Sequence, residues 1–345
     1  MSASTPLLLI VECSRPRATV GLFAGLQPLA IRQTPADSRT AIHLIPTLQA
    51  LYRDAGVGPR QTQAVAATYG PGSFTSLRIG LTTAKTIAFA CQCPMIGVNA
   101  LDALLLSATR PAASWPPTTT AAIQGAPIHT DLPLVPAWGE AVQSAYRGLV
   151  YCKRIRPRPL NATVDTIAQV REKLIAWKHP GPRAGLREPP AAADPLQWSC
   201  YQPDPTQTPW PEPLVTAALW QTLQPTALIE QSRWLTDLAQ AVQANEPHGF
   251  VILDEANPPL RSLIQTRTSA GPSGSAAVLP RVLDPPTEPI RLQALAELAW
   301  ATFLQAPSDR LWPRVVQPVY YRPSAAEEAL DAKPTTSDHP DAANQ

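Results

Sequence analysis

Between residues 63 and 99 the sequence follows an order that few architectures accept: a short apolar strand, a Gly-Pro-Gly loop, an amphipathic helix and a second strand. Phe74, Leu77, Leu81, Ala84 and Ala88 recur three or four residues apart, which predicts a helix over residues 74–91, and Ser73 stands where an N-cap belongs. Residues 63–68 and 94–99 are the flanking strands. Upstream, the apolar runs at residues 7–13 and 18–23 are separated by "SRPR" and read as a buried strand with its hairpin partner. A first helix is predicted over residues 40–55 from Ala41, Ile45, Leu48, Tyr52 and Ala55, with Gly56 as its stop. Pro46 lies about two turns inside it and calls for a kink or a later start. Strand, hairpin, helix, strand, loop, helix, strand is the order of an α/β lobe.

Beyond residue 106 the pattern weakens. The chain holds 41 prolines against 16 glycines in 345 residues, and prolines concentrate in residues 107–133 and 156–213, which read as an insertion and a long connecting stretch. Strand signals return at residues 134–138, 149–155 and 250–254, and a helix is predicted over residues 289–304. The expected organisation is a lobe over residues 1–106, the insertion 107–133, a second α/β lobe over 134–322 containing the stretch 156–213, and a disordered tail from 323. The apolar run near the N-terminus, about six residues without a preceding positive charge, is too short for a signal peptide or a membrane span, so a cytoplasmic protein is expected. A formal charge of +2 gives no general grip on nucleic acid. Five cysteines form no disulfide framework, and Cys91 and Cys93, in CxC spacing, are read as buried or idle thiols.

The Gly-Pro-Gly loop fits neither nucleotide motif. It lacks the Lys-Ser/Thr of a phosphate-binding loop, Thr75 stands where a dinucleotide fingerprint needs its third glycine, and Lys85 is three turns into the helix. The loop is expected to be the shaped start of a packing helix, with vestigial anion or nucleotide binding at Gly70, Gly72, Ser73, Phe74 and Thr75 as the sharper reading. Arg78 and Lys85 are read as a solvated or partner-facing side. His43, His129, His179, His248 and His339 are scattered without ligand spacing, so no metal and no other cofactor are expected. No Gly-x-Ser-x-Gly elbow occurs, "GPSGSAAV" from residue 271 reads as a loop, and Asp102 as a helix-start charge. No catalytic residue is assigned.

The segment "YGPGSFTSLRIGLTTAKTIAFACQCPMIGVNALDAL", residues 69–104, closely resembles the signature region of the TsaB (YeaZ) family, the Gcp-like proteins of bacterial tRNA threonylcarbamoyladenosine synthesis. Three further pieces fall in the family's order: "LLLIVECS" resembles its first strand, "SAYRGLVYCKRI" its central strand region and "VVQPVYYRPSAAEEA" its C-terminal ending. Departures exist. Glu12 and Cys13 stand where the family usually has Asp and Thr, Ser144 where it often has Asp, and Thr40 where its first helix commonly carries His.

The resemblance implies the actin-like ATPase fold, two related α/β lobes, the second shortened and interrupted by the Pro-rich insertions. It also implies a noncatalytic subunit that binds and activates the TsaD threonylcarbamoyltransferase at tRNA position 37, with the ATPase TsaE as a further partner and tRNA contacted through the complex; a homodimer and a monomer both stay open for the chain when alone. The similar TsaD family carries two metal-holding histidines after its "GVN" strand end; here Ala100 and Leu104 occupy those positions. The alternative is that the chain is itself an ATP- and metal-dependent transferase or a Gcp-like metallopeptidase. TsaB-type proteins pair through their first two helices, which implies Ile42, Leu44, Ile45, Leu48, Phe74, Leu77, Arg78, Leu81 and Lys85 as partner-binding residues.

Overall fold

In the computed structural model of the chain, residues 5–36, 39–109, 137–145, 148–158, 168–170, 172–173, 216, 219–243, 249–255, 257–269, 280–305 and 316–321 are described. The remainder of both Pro-rich stretches, the loop from residue 271 and the tail lie outside them, as do His129, His179, His248 and His339.

The first lobe opens with an antiparallel meander, β1 (Leu7–Glu12), β2 (Thr19–Ala24) and β3 (Gln27–Gln33). After α1 (Thr40–Asp54) come β4 (Ala64–Gly70), α2 (Phe74–Ala90), β5 (Met95–Asn99) and α3 (Ala100–Thr109). β4 pairs parallel with β1 and β5 parallel with β4, giving the order β3-β2-β1-β4-β5. The second lobe repeats the sequence of elements: β6 (Gly139–Ser144), β7 (Leu149–Pro157), β8 (Trp220–Glu230), α4 (Gln231–Gln243), β9 (Phe250–Leu253), α5 (Pro258–Ser269), β10 (Arg281–Leu283) and α6 (Glu288–Gln305). β6, β7 and β8 are antiparallel, while β9 and β10 add in parallel, so the order β8-β7-β6-β9-β10 reproduces the first sheet strand for strand. This duplication is the actin-like ATPase fold. The Pro-rich stretch separates β7 from β8 without removing a strand from the set.

Sequence periodicity misses β8. Its polar alternation and Pro225 argue against a strand, yet β8 lies on the sheet edge, where a residue without an N–H is tolerated. The register between β7 and β8 shifts around Pro225, from Cys152 opposite Ala227 to Arg154 opposite Gln224. Pro46 does not break α1. It sits on the solvent side of a continuous helix, where the Ile42 carbonyl that loses its helical donor can be hydrated.

Five layers result. α1 and α2 cover the outer face of the first sheet over Leu9, Val11, Leu22, Leu44, Leu51 and Leu81. α4 and α5 cover the outer face of the second sheet around Trp234, Leu238 and Ile264. Between the sheets lie α3 and α6, each packed across the lobe boundary: α6 on β1, β2, β4 and β5, and α3 on β6, β7 and β9 as well as its own strands. Gly21 admits this approach, since a Cβ there would stand 2.6 Å from Leu292 of α6. The C-terminal segment at residues 316–321 returns to the first lobe, burying Val316 and Val319 and donating from Val319 N to Tyr69 O at 2.8 Å.

Because the central layer belongs to both sheets, the lobes are expected to unfold together. Trp300 on α6 is fully buried and donates its indole N–H to Gly25 O in the other lobe at 2.7 Å. Trp300→Ala is expected to cost about 3–5 kcal/mol. Urea unfolding followed by circular dichroism and by tryptophan fluorescence should give coincident transitions in wild type and variant; separate transitions would refute the shared core.

Candidate functional site

The carboxyl ends of the strands in both sheets face one cleft, the place where α/β sheets ordinarily hold ligands. Here the cleft floor is filled by charge. Glu12, at the end of β1, accepts from Ser14 N at 2.7 Å and from Thr68 Oγ1 on β4 at 3.0 Å. Its second oxygen lies 3.3 Å from Nε of Arg291, in the first turn of α6. The same guanidinium pairs with Asp254, just after β9, and reaches Ser14 Oγ at 3.4 Å. Gln143 on β6 donates to Ser14 O at 3.1 Å. Toward the rim, Arg15 pairs with Glu288 and lies 3.7 Å from Asp254, and Thr19 donates to Glu288 at 3.0 Å. Glu12, Asp254 and Arg291 are all buried.

Burial pushes the Glu12 carboxyl up, but the Arg291 charge, the Ser14 hydrogen bonds and Arg15 outweigh it and hold it below its ordinary value of 4.5. Burial works against the Arg291 charge too, and Asp254, Glu12 and Glu288 overcome it. These groups do not fit a nucleotide with its metal. The two carboxylates that could ligate a divalent cation are bound to a guanidinium, and a cation would have to displace a fully buried arginine.

A second ion pair crosses the lobes at the start of α3. Asp102 on α3 lies 2.6 Å from Lys153 Nζ on β7, both side chains about 4% exposed. Asp102 stands in the first turn of α3, as expected from sequence, and is in addition a buried charge paired across the lobes. Nearby, Asn99 donates to Thr226 at 3.2 Å and Tyr151 packs edge-on against Tyr321. Ala100 and Leu104 are both buried, Leu104 within the central core. Among the described residues, no group of three or more His, Cys, Asp or Glu side chains could hold a metal ion.

The Gly-Pro-Gly loop is packed close on its surroundings. A Cβ on Gly72 would lie 2.4 Å from Ser14 O, and Gly70, at a φ of 136°, abuts Val319 O. Ser73 caps α2, its Oγ accepting from Ser76 N at 3.5 Å. Phe74 stacks on Tyr320 with ring centroids 4.3 Å apart; Thr75 is exposed.

The residues expected on a partner face divide into two sets. Leu44, Leu48, Leu77 and Leu81 are buried in the core of the first lobe, so their partner-facing assignment is corrected: the stripe of α1 through Thr40, Leu44, Thr47, Leu48 and Leu51 faces its own sheet. Ile42 and Ile45 fall on the opposite stripe and are 62% and 51% exposed. Arg78 is exposed but engaged, with its guanidinium 3.9 Å from the Phe74 ring and its Nε donating to Tyr320 Oη at 2.9 Å. Lys85 is half-buried, which lowers its pKa. Phe89, 78% exposed near the end of α2, escaped sequence reasoning because it continues no apolar period.

This is a protein of the actin-like ATPase fold with an ion-filled cleft and an uncovered apolar row on α1. A family model described as TsaD, tRNA N6-adenosine threonylcarbamoyltransferase, matches residues 35–129. The tRNA N6-adenosine threonylcarbamoyltransferase of Nitratidesulfovibrio vulgaris is 42% identical over 88 residues, 25% of this chain and 23% of that protein. The tRNA threonylcarbamoyladenosine biosynthesis protein TsaB of Bacillus subtilis is 33% identical over 97 residues, 28% of this chain and 42% of that protein. A crystal structure described as similar to peptidase YeaZ from Pseudomonas aeruginosa covers 92% of this chain and all of that one, with a TM-score of 0.49 and 17% identity. The chain thus spans less than half the length of these TsaB and TsaD relatives. Among the described residues, no helix is long and apolar enough to cross a membrane.

Arg291→Met should destabilise the protein by about 3–5 kcal/mol, because Glu12 and Asp254 lose their buried counter-charge; adding Glu12→Gln should recover part of the loss. The Glu12 carboxyl is lowered on folding, so its stabilisation is present above pH 4.5 and lost as pH falls through the folded value. Urea midpoints measured from pH 7 to pH 3 should fall in wild type and fall less steeply in Glu12→Gln.

Proposed function

We propose that the chain acts in tRNA threonylcarbamoyladenosine synthesis as a noncatalytic subunit that binds and activates a TsaD-type transferase. The reading is supported by the segment similarity and by one observation above the others: the cleft that would hold nucleotide is occupied by the protein's own Arg291, paired with Glu12 and Asp254. Ala100 and Leu104, buried where the resemblance places metal-holding histidines in the transferase, point the same way. With no reactive group assigned among the described residues of the cleft, activity passes through a surface in this reading. The row Ile42 and Ile45 on α1, with Phe89 on α2, is the docking face in this reading. TsaE joins as a further partner, and tRNA is contacted within the assembly.

The matching family model carries the transferase's description, and so the chain being itself a metal- and ATP-dependent transferase is the competing reading. Metal analysis of the purified chain separates the two: stoichiometric bound metal would overturn the noncatalytic assignment.

Light scattering on a sizing column tests the docking face, using the chain alone and mixed with the transferase from the same organism. Wild type is expected to form a one-to-one complex. Ile42→Asp with Ile45→Asp should weaken it by about a hundredfold or more, since charges buried at the centre of an apolar contact go unpaired, while leaving the circular dichroism and the urea midpoint unchanged. A complex insensitive to the double substitution would remove α1 from the interface, and no complex at all would remove the subunit role.

A further inference from the structure

The CxC pair lies at the C-terminal end of α2, two residues beyond the exposed Phe89. Cys91 follows α2 and Cys93 leads into β5, and between them Gln92 adopts the left-handed conformation at a φ of 50°. The helix closes on this reversal, with Gln92 N donating to Phe89 O at 3.1 Å and Cys93 N to Ala88 O at 3.0 Å. The bend leaves the two cysteines one residue apart on a tight reversal at the end of α2. Two consecutive virtual bonds of about 3.8 Å folded at a turn fall inside the roughly 4.4–6.8 Å that a disulfide spans between Cα atoms.

The two thiols are not equivalent. Cys91 is partly exposed, its Sγ 3.2 Å from Pro59 O on the neighbouring turn, with Arg60 beside it; Cys93 is buried. Tyr52, near the end of α1, is the other titratable group in their field. A hydrogen bond from Cys93 brings the Cys91 thiol down to about 7, against burial and with help from Arg60, whereas Cys93 is pushed up. Cys13 and Cys152 are also pushed up by burial. One partly exposed thiol beside a buried neighbour is the arrangement of an attacking and a resolving cysteine.

We propose that Cys91 and Cys93 form a redox-active pair, a modification site at which hydrogen peroxide oxidises Cys91 and Cys93 closes an intrachain disulfide. In the first step the Cys91 thiolate attacks one peroxide oxygen. The S–O bond forms, the O–O bond breaks, and hydroxide leaves to be protonated as water. In the second, the Cys93 sulfur attacks the Cys91 sulfenic sulfur, the S–S bond forms, the S–O bond breaks, and the departing hydroxide takes up the Cys93 proton. Two thiols and one peroxide become a disulfide and two waters. The site is independent of any docking role for α1.

The test is peroxide oxidation of the full-length reduced chain, quenched at intervals, followed by intact mass and by peptide mapping after alkylation of remaining thiols. The expected result is loss of two hydrogens, a bond mapped between Cys91 and Cys93, and a rate that rises as pH is raised through about 7. Cys93→Ser should instead accumulate a Cys91 sulfenic acid that dimedone traps, and Cys91→Ser should slow thiol loss at least tenfold. Oxidation of wild-type Cys91 to sulfinic acid without a disulfide, or loss of Cys152 as fast as Cys91, would overturn the proposal. Both readouts come from wild type and do not depend on a variant folding.

Discussion

The Arg291 guanidinium holds the two halves of this molecule in register. It reaches Glu12 from the first sheet and Asp254 from the second while its own helix lies against the first. A buried charge of this kind stabilises little by itself, since desolvation offsets most of the attraction, but removing any one member leaves the others stranded at a cost of several kcal/mol. Its effect is therefore on geometry. Departures from the arrangement that pairs all three groups are penalised, and the relative position of β1, β9 and α6 is fixed accordingly.

The same logic appears where Asp102 of α3 pairs with Lys153 of β7. The third helix of each lobe thus sends a charge into the opposite lobe from its first turn. The duplicated topology makes this natural. The exchange of helices that gives α6 its contacts with the first sheet gives α3 its contacts with the second.

The first lobe was legible in the sequence because its information is local. Ser73, the Gly-Pro-Gly loop and the three-to-four spacing from Phe74 lie within about four turns of helix, and each element's signal is continuous. The duplication was not legible, because β8 carries a proline and a polar alternation that only its edge position tolerates, and because long Pro-rich stretches separate strands that pair. Nor was the cleft. Arg291 and Ser14 lie 277 positions apart, and nothing in the spacing of either announces the other. On α1, periodicity found the apolar residues but could not assign them to faces, since Ile42, Leu44, Ile45 and Leu48 belong to two stripes that only the position of the sheet distinguishes.

The filled cleft and the uncovered helix row are physically connected. Enzymes built on paired lobes work by opening and closing a cleft around a ligand, and such motion requires the lobes to separate at low cost. In this chain, separation would expose Trp300 and the rest of the central core, and would pull Arg291 from at least one of its carboxylates. Both penalties act on the same displacement, so opening of the lobes is opposed twice over. A rigid body offers a partner a surface whose shape is set in advance, and the ordering cost on association falls on few side chains. Ile42 and Ile45 sit on a helix whose opposite stripe is anchored in the first lobe's core, which makes their row the most preorganised apolar surface on that lobe.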